Sequence, residues 1–360
     1  MLPYFLFLFA ALLFGYLAFK NKERHNRFWL IMLFLLMTLF AGLRSSSVGT
    51  DSGNYAFGFE DQRYISKSVD RGVMPILLSE PGFTFLQKTV GHFSTNYNDL
   101  FLAIAAICAL AFLYMIATHS PMPLVSLFVY ITLGYYTFVF NGARQGIAIA
   151  IYLLAVPSLI KHDFWSYLLF VLLASLFHNS ALIAIPLYFI LIRRYSFKNL
   201  ALIIVSGIIV AAFLPRVLAI GSLLNEKIAG YGSGSTGGYV LAAFYVILTV
   251  FFLSQRRVVV EDAHERYDVY LNMMVVGSVI YVIVSATGAY SELTRFAAYF
   301  QIASVFLWAE IGSNRSTPMS IPALFAALAG HIFYYTVSLM QFGNLVPYSV
   351  NLNYIDILIK

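Results

Sequence analysis

The chain has 360 residues, is 61% hydrophobic and 17% aromatic, and has only 11% charged residues, with a mean hydropathy of +0.81. Soluble domains are nearer 25% charged, so this composition excludes a water-soluble globular protein and predicts an all-α polytopic membrane protein, because each backbone polar group in lipid must be satisfied within its own helix. The net charge of +6 is taken up by membrane anchoring and gives no case for nucleic acid, and the single cysteine, Cys108, rules out an intramolecular disulfide and a cysteine-based metal cluster.

In chain order, apolar runs predict about twelve membrane-spanning helices, near 3–19, 28–43, 99–117, 124–140, 146–160, 164–177, 180–192, 199–214, 239–253, 269–286, 296–311 and 320–340. The first run starts at once and reads on as a span, not as a cleavable signal peptide. The stretch 164–192 reads as a hairpin of two short segments. One long helix there would reverse everything downstream and set Arg193, Arg194, Arg256 and Arg257 outside. The whole is read as one integral membrane domain, 1–360, with two long outer loops. The first, 44–98, carries a short helix beginning near Pro81. The second, 215–238, is glycine-rich and lacks the Gly-Lys-Ser/Thr ending of a phosphate-binding loop.

The connecting segments divide into two sets on alternate sides. One set holds about 12 of the 22 Lys and Arg in roughly 45 residues, which marks it as cytoplasmic. Both termini then face outward.

The outward set gathers the chemistry. Arg44 closes the second span, Arg144 and Gln145 sit in the turn after the fourth, and His178 and Asn179 come after the sixth. Glu292 and Arg295 occupy the turn after the tenth, and Asp51, Tyr55 and Glu80 lie in the first loop. Ionisable groups at a membrane segment are functional candidates by default. Three arginines at helix ends suit a polyanionic headgroup, since each guanidinium pairs two phosphate oxygens at once and stays charged. Carboxylates in the same region serve as a base or orient sugar hydroxyls, and tyrosines such as Tyr55 and Tyr299 offer rings to stack on sugars. His178 is the leading general-base candidate because imidazole can accept a proton at neutral pH, with Asp51 and Glu80 as rivals or orienting partners.

Each candidate has a plainer reading. Arg44 and, less readily, Arg144 also fit interfacial anchors, Glu292 and Arg295 a surface pair three residues apart, and Asp51 the cap of a loop turn; His178, taken alone, reads first as a packed or interfacial histidine. His331 reads as a satisfied core histidine. The cluster Arg256, Arg257, Glu261, Asp262, His264, Glu265 and Arg266 reads as a solvated cytoplasmic loop.

Arg44 followed by Val48-Gly49-Thr50-Asp51 and Tyr55 resembles the first-loop signature of the EpsG family, which belongs with the Wzy-type bacterial polysaccharide repeat-unit polymerases. The resemblance runs on through Glu80-Pro81-Gly82-Phe83, Asn141-Gly142-Ala143-Arg144-Gln145, Phe177-His178-Asn179, Thr294-Arg295-Phe296 with Tyr299, and Val346-Pro347-Tyr348. It implies a GT-C-like membrane glycosyltransferase with no metal or other cofactor, set in the bacterial inner membrane with its active face periplasmic. Such an enzyme polymerises undecaprenyl-diphosphate-linked oligosaccharide repeat units into O-antigen, capsule or exopolysaccharide. Its partners would be those lipid-linked glycans, membrane lipid and a chain-length regulator protein. Under that resemblance Arg44, Arg144 and Arg295 hold diphosphates, His178, Asp51 and Glu80 are the catalytic set, and Tyr55, Gln145, Asn179, Glu292 and Tyr299 contact substrate. Two other classes compete. A transporter or flippase of the lipid-linked unit would show paired halves with broken helices at the midplane. A membrane acyltransferase modifying the glycan would favour one of the cytoplasmic histidines, His25, His119, His162 or His264.

Overall fold

The structure is a computed structural model that describes residues 1–21, 25–61, 80–224, 238–287, 291–313 and 321–354. Residues 62–79 of the first long loop, and 225–237 of the glycine-rich one, lie outside that set. Among the described residues all regular structure is helical, apart from an isolated antiparallel bridge between Arg44 and Val350.

The helices in chain order are α1 (Leu2–Phe19), α2 (Arg27–Gly42), α3 (Ser52–Glu60), α4 (Pro81–Phe93), α5 (Tyr97–His119), α6 (Pro123–Thr132), α7 (Ala143–Leu153), α8 (Val156–Ile160), α9 (Phe164–Ser175), α10 (Ala184–Leu191), α11 (Phe197–Leu224), α12 (Tyr239–Gln255), α13 (His264–Thr287), α14 (Ala298–Gln301), α15 (Ser304–Ser313) and α16 (Ile321–Gln341). Their starts carry the expected chemistry. Asn26 caps α2 by accepting from the backbone N–H of Phe28 and Trp29, and Asn96 caps α5 through Asn98 N–H. Proline opens α1, α4 and α6, where a missing N–H costs nothing.

Among the described residues, seven helical stretches are long and apolar enough to cross a membrane, and four shorter apolar helices accompany them, which fits a multi-pass membrane protein. The twelve apolar runs fall largely on helix, with turns at 133–136 and 154–155 inside two of them. The run at 296–311 is interrupted: a 3₁₀ turn, Ser291–Ala297, leads to the four-residue α14, and the chain breaks at Ile302–Ala303 before α15. Over 164–192 the chain folds back on itself. Tyr167 donates to the Ala184 carbonyl at 2.8 Å and the Phe164 ring stacks on Phe189 at 5.8 Å, so the start of α9 meets the end of α10. One long helix is thereby excluded.

The sequence reads as one membrane domain; in the structure the chain packs as two compact units, each interrupted in sequence by the other. The first comprises Met1–Leu154, Phe170–Ser180 and Pro318–Lys360. In it α2 packs along α5 and α1, α7 lies against α5, and α16 lies against α6. The rings of Phe7, Phe40, Tyr136 and Tyr348 stack through its middle at 4.3–4.5 Å. His331 on α16 meets Thr132 Oγ1 at 2.9 Å, the satisfied core histidine expected. The segment after α16 returns across the ends of α2 and α5. Tyr348 donates to the Phe40 carbonyl at 2.6 Å, and Asn351 donates to Asn98 Oδ1 at 2.6 Å. The Asn98 amide in turn holds the Gly42 and Arg44 carbonyls at 2.8 and 3.0 Å.

The second unit, Ala155–Leu169 with Ala181–Thr317, is built around α13, which packs against α11, α12 and the 291–301 turns. Here the solvated-loop reading of the basic and acidic cluster needs correction. Arg256 forks onto Asp268 at 2.6 and 2.9 Å, and Arg266 forks onto Glu310 at 2.5 and 3.1 Å. Both carboxylates are buried. Because α13 begins at His264, Asp268 lies a turn inside the helix and not in a loop. A buried carboxylate requires such a partner, and Asp268 and Glu310 went unnoticed because each looks like a stray acid in an apolar run.

Candidate active site

The site in the first unit starts from four consecutive residues. Glu80 has left-handed backbone, φ 53° and ψ 61°, directly before Pro81 opens α4. Gly82 N–H donates to the Leu176 carbonyl at 2.8 Å. A Cβ on Gly82 would lie 3.0 Å from that same oxygen, so only glycine lets the two backbones approach so closely. Phe83 is buried and meets the Tyr55 ring edge-on at 5.7 Å. The start of α4 is thus fixed against the end of α9, two residues before His178.

This docking turns the Glu80 carboxylate, itself buried, toward two cations-in-waiting. Arg144 Nη1 donates to Oε2 at 2.9 Å, and His178 Nδ1 is hydrogen-bonded to Oε1. Burial pushes the Glu80 carboxyl up, but the hydrogen bonds and charges of His178 and Arg144 outweigh it and hold the carboxyl below the ordinary carboxylate range. Glu80 is therefore an anion at neutral pH. The Arg144 side chain remains 49% exposed and that of His178 34%, so both reach Glu80 from a face open to solvent. The guanidinium also lies over the rings of Phe83 and Tyr55, 5.3 and 5.8 Å from their centroids. Burial raises the Tyr55 hydroxyl above its usual range, against the pull of Arg144, so it is a proton donor at neutral pH.

Arg144 is placed by the first loop. Val48 is a core residue, and Gly49 has φ +101° with a Cβ position only 2.3 Å from the Phe140 carbonyl oxygen, a place for glycine alone. Thr50 donates to Asn141 Oδ1 through its backbone N–H at 2.7 Å and its hydroxyl at 3.0 Å. Asn141 and Gly142 lead straight into α7, whose first turn carries Arg144. Asn141 stands in the signature Asn141-Gly142-Ala143-Arg144-Gln145 without an assigned role, and the structure gives it one, as the tie between the first loop and α7.

The remaining candidates are distributed as follows. Asp51 stands at the start of α3, one turn before Tyr55, and makes no side-chain cap bond there. Asn179 begins a 3₁₀ turn next to His178 and is half-buried. Gln145 is buried in α7, on a different face from its neighbour Arg144. Arg44 is 2% exposed: its guanidinium lies between the Phe101 and Phe140 rings at 4.1 and 4.2 Å, donates to the Ala41 carbonyl, and holds Ser52 Oγ at 3.2 Å. Burial lowers it to about 10, which still leaves it cationic. An enclosed guanidinium of this kind has no face for a diphosphate, a burial that its position at a helix end did not reveal. Arg295 and Tyr299 belong to the second unit. Arg295 is half-buried on the 3₁₀ turn, while Tyr299 is fully buried in the core of that unit. Glu292 occupies the same turn, and its side chain lies outside the described residues. Among the described residues no three His, Cys, Asp or Glu side chains gather as a metal site would require.

The sequence model of the EpsG family matches residues 26–350. The amylovoran biosynthesis protein AmsC of Erwinia amylovora is 30% identical over 223 residues, 59% of this chain and 58% of that protein. The chain thus spans less than two thirds of this relative's length. No solved structure matches.

Proposed function

The chain belongs to the EpsG family, and on that premise we propose that it is a membrane glycosyltransferase of polysaccharide biosynthesis. It joins undecaprenyl-diphosphate-linked repeat units on the outer face of the bacterial plasma membrane, with about twelve helical segments crossing or entering the bilayer. The relative's part in amylovoran biosynthesis supports the substrate class, and the concentration of Lys and Arg in the opposite loops supports the face. The observation that carries the reading is the single buried carboxylate of Glu80 tied to both Arg144 and His178.

Each residue then has a task. Glu80 accepts the His178 Nδ1–H and so fixes the tautomer with Nε2 as the unprotonated nitrogen, the orienting logic of a carboxylate behind a histidine base. His178 Nε2 takes the proton of the acceptor hydroxyl. That oxygen bonds to the anomeric carbon of the donor glycan, and the bond from that carbon to the diphosphate oxygen breaks, its electron pair leaving with undecaprenyl diphosphate. Arg144, half exposed in the first turn of α7, offers charge and N–H donors to the leaving diphosphate, and the helix N-terminus adds the same sign. Arg44 is assigned to the scaffold. Asn179 and Tyr55, from the same unit, line the sugar path.

The test is a lipid-linked glycan ladder from cells carrying single substitutions. Arg144→Lys keeps the charge and loses the fork, so the ladder should collapse to one or two repeats; Arg144→Ala should leave a single repeat, both at wild-type membrane abundance. Full-length ladders from Arg144→Ala would remove the proposed role, and loss of all lipid-linked repeat outside the cell would favour a transporter.

A further inference from the structure

The first unit holds a cavity, about 840 Å³, at the end of α4 away from Glu80. Thirteen residues of helix separate it from Glu80, roughly 20 Å at 1.5 Å per residue. Helices α3 and α4 lie side by side between the two places. Tyr55 meets Phe83 near one end, and Phe59 lies beside Gly91, 3.7 Å from where its Cβ would be, near the other.

The lining differs in sign from the Arg144 cluster. Glu60 from α3 and Asp99 from α5 contribute carboxylates, Ser94 a hydroxyl and Asn96 a carboxamide, and among the described residues no Lys, Arg or His lines the cavity. The C-terminal end of α4 adds further negative potential. Such a place repels a diphosphate and accepts hydroxyl donors. Asp99 already takes Ser94 Oγ–H at 2.5 Å and the Tyr354 hydroxyl, yet a carboxylate has about four acceptor sites. Phe93 stands beside these acceptors with its ring 83% exposed. An open aromatic face next to several acceptors matches a sugar ring, which has a polarised C–H face and a rim of hydroxyls.

We propose that this cavity is a subsite for uncharged sugar residues of the glycan, remote from the bond being made, and that α3 and α4 form the track between it and Arg144. The inference rests on the polymerase reading for its biological role, though binding can be measured without it. The volume falls within the range of small-ligand sites.

The probe is a set of oligosaccharides, one to three repeats long, released by mild acid from the polysaccharide of the native host. They are titrated calorimetrically into the full chain in nanodiscs. Glu60→Gln and Phe93→Ala remove exposed groups and should leave the melting temperature unchanged. Their combination should weaken oligosaccharide binding at least fivefold and shorten the modal polymer length in cells, while inorganic pyrophosphate should not compete with the oligosaccharide in the wild type. Wild-type affinity and chain length in the double variant, no binding by the wild type, or competition by pyrophosphate would each overturn the subsite. A normal ladder from Arg144→Ala alongside weakened binding by the double variant would instead count against polymerisation and leave the subsite standing.

Discussion

A carboxylate as buried as that of Glu80 needs a donor or a cation at each oxygen, and the fold brings Arg144 and His178 from 64 and 98 residues away to supply them. Sequence reasoning picks out all three side chains, Arg144 for a diphosphate, His178 as the base and Glu80 as its rival or orienting partner. That they share one carboxylate was hidden, because nothing local in the chain encodes a contact across such separations. The joint geometry gives a signed pH prediction through Glu80, whose carboxyl is held below the ordinary carboxylate range. By linkage its contribution to stability is fully present above that range and is lost only as pH falls further, through the depressed value, which the melting temperature as a function of pH reads. His178→Gln keeps a hydrogen bond to Glu80 but cannot take the proton, and should lose on the order of 10²–10⁴ in turnover. Near-normal turnover in the glutamine variant would end the base assignment.

At the scale of elements, the end of α2, the loop 45–51 and the start of α3 form one bolted corner, and Arg44 is the bolt. It joins the Ala41 carbonyl to Ser52, and Ser52 Oγ–H reaches on to the Phe140 carbonyl at 3.1 Å, so the cation ties α2 to the turn that precedes Arg144. The order Val48-Gly49-Thr50-Asp51 was legible as a signature, and the structure gives it physical content: a core plug, a positive-φ glycine, a strap to Asn141 and a helix start. Helix α3 falls within the loop 44–98 of the sequence reading, because nine residues containing two glycines carry a weak helical pattern. Two variants separate structure from chemistry here. Arg44→Ala should leave a void between two rings and strand polar groups, a loss of about 1–3 kcal/mol. Gly49→Ala forces a side chain into left-handed backbone against a carbonyl, a loss of about 1–3 kcal/mol. Both should lower the melting temperature and the membrane abundance, whereas Arg144→Ala, which strips one oxygen of the Glu80 carboxylate of its cation but leaves the His178 bond, should lower the melting temperature less and leave the abundance unchanged. Arg44→Ala with normal abundance and no ladder would return Arg44 to the diphosphate.

For the whole molecule, hydropathy located the helical stretches but not their grouping into two interrupted units, because periodicity reports burial in lipid or protein alike. It also missed the break at Ile302–Ala303, where two short helices occupy one apolar run. The charge asymmetry between loops is the sequence feature that bears on orientation, and it commits the proposal to a measurable topology. Asn54 on α3 and Lys198 at the start of α11 are both exposed, so a cysteine at either is accessible from its own side. The single native cysteine, Cys108, is buried in α5 and supplies little background. In intact cells with a permeabilised outer envelope, a membrane-impermeant maleimide should label Asn54→Cys and spare Lys198→Cys, and lysis should expose the second. Asn54 lies one residue from Tyr55, whose ring Arg144 covers, so its side of the membrane is the side of the Glu80 cluster. Labelling of Lys198→Cys from outside, with Asn54→Cys protected, would place that cluster in the cytoplasm, where nucleotide sugars and not flipped lipid-linked units are the available donors, and the polymerase proposal would fall with it.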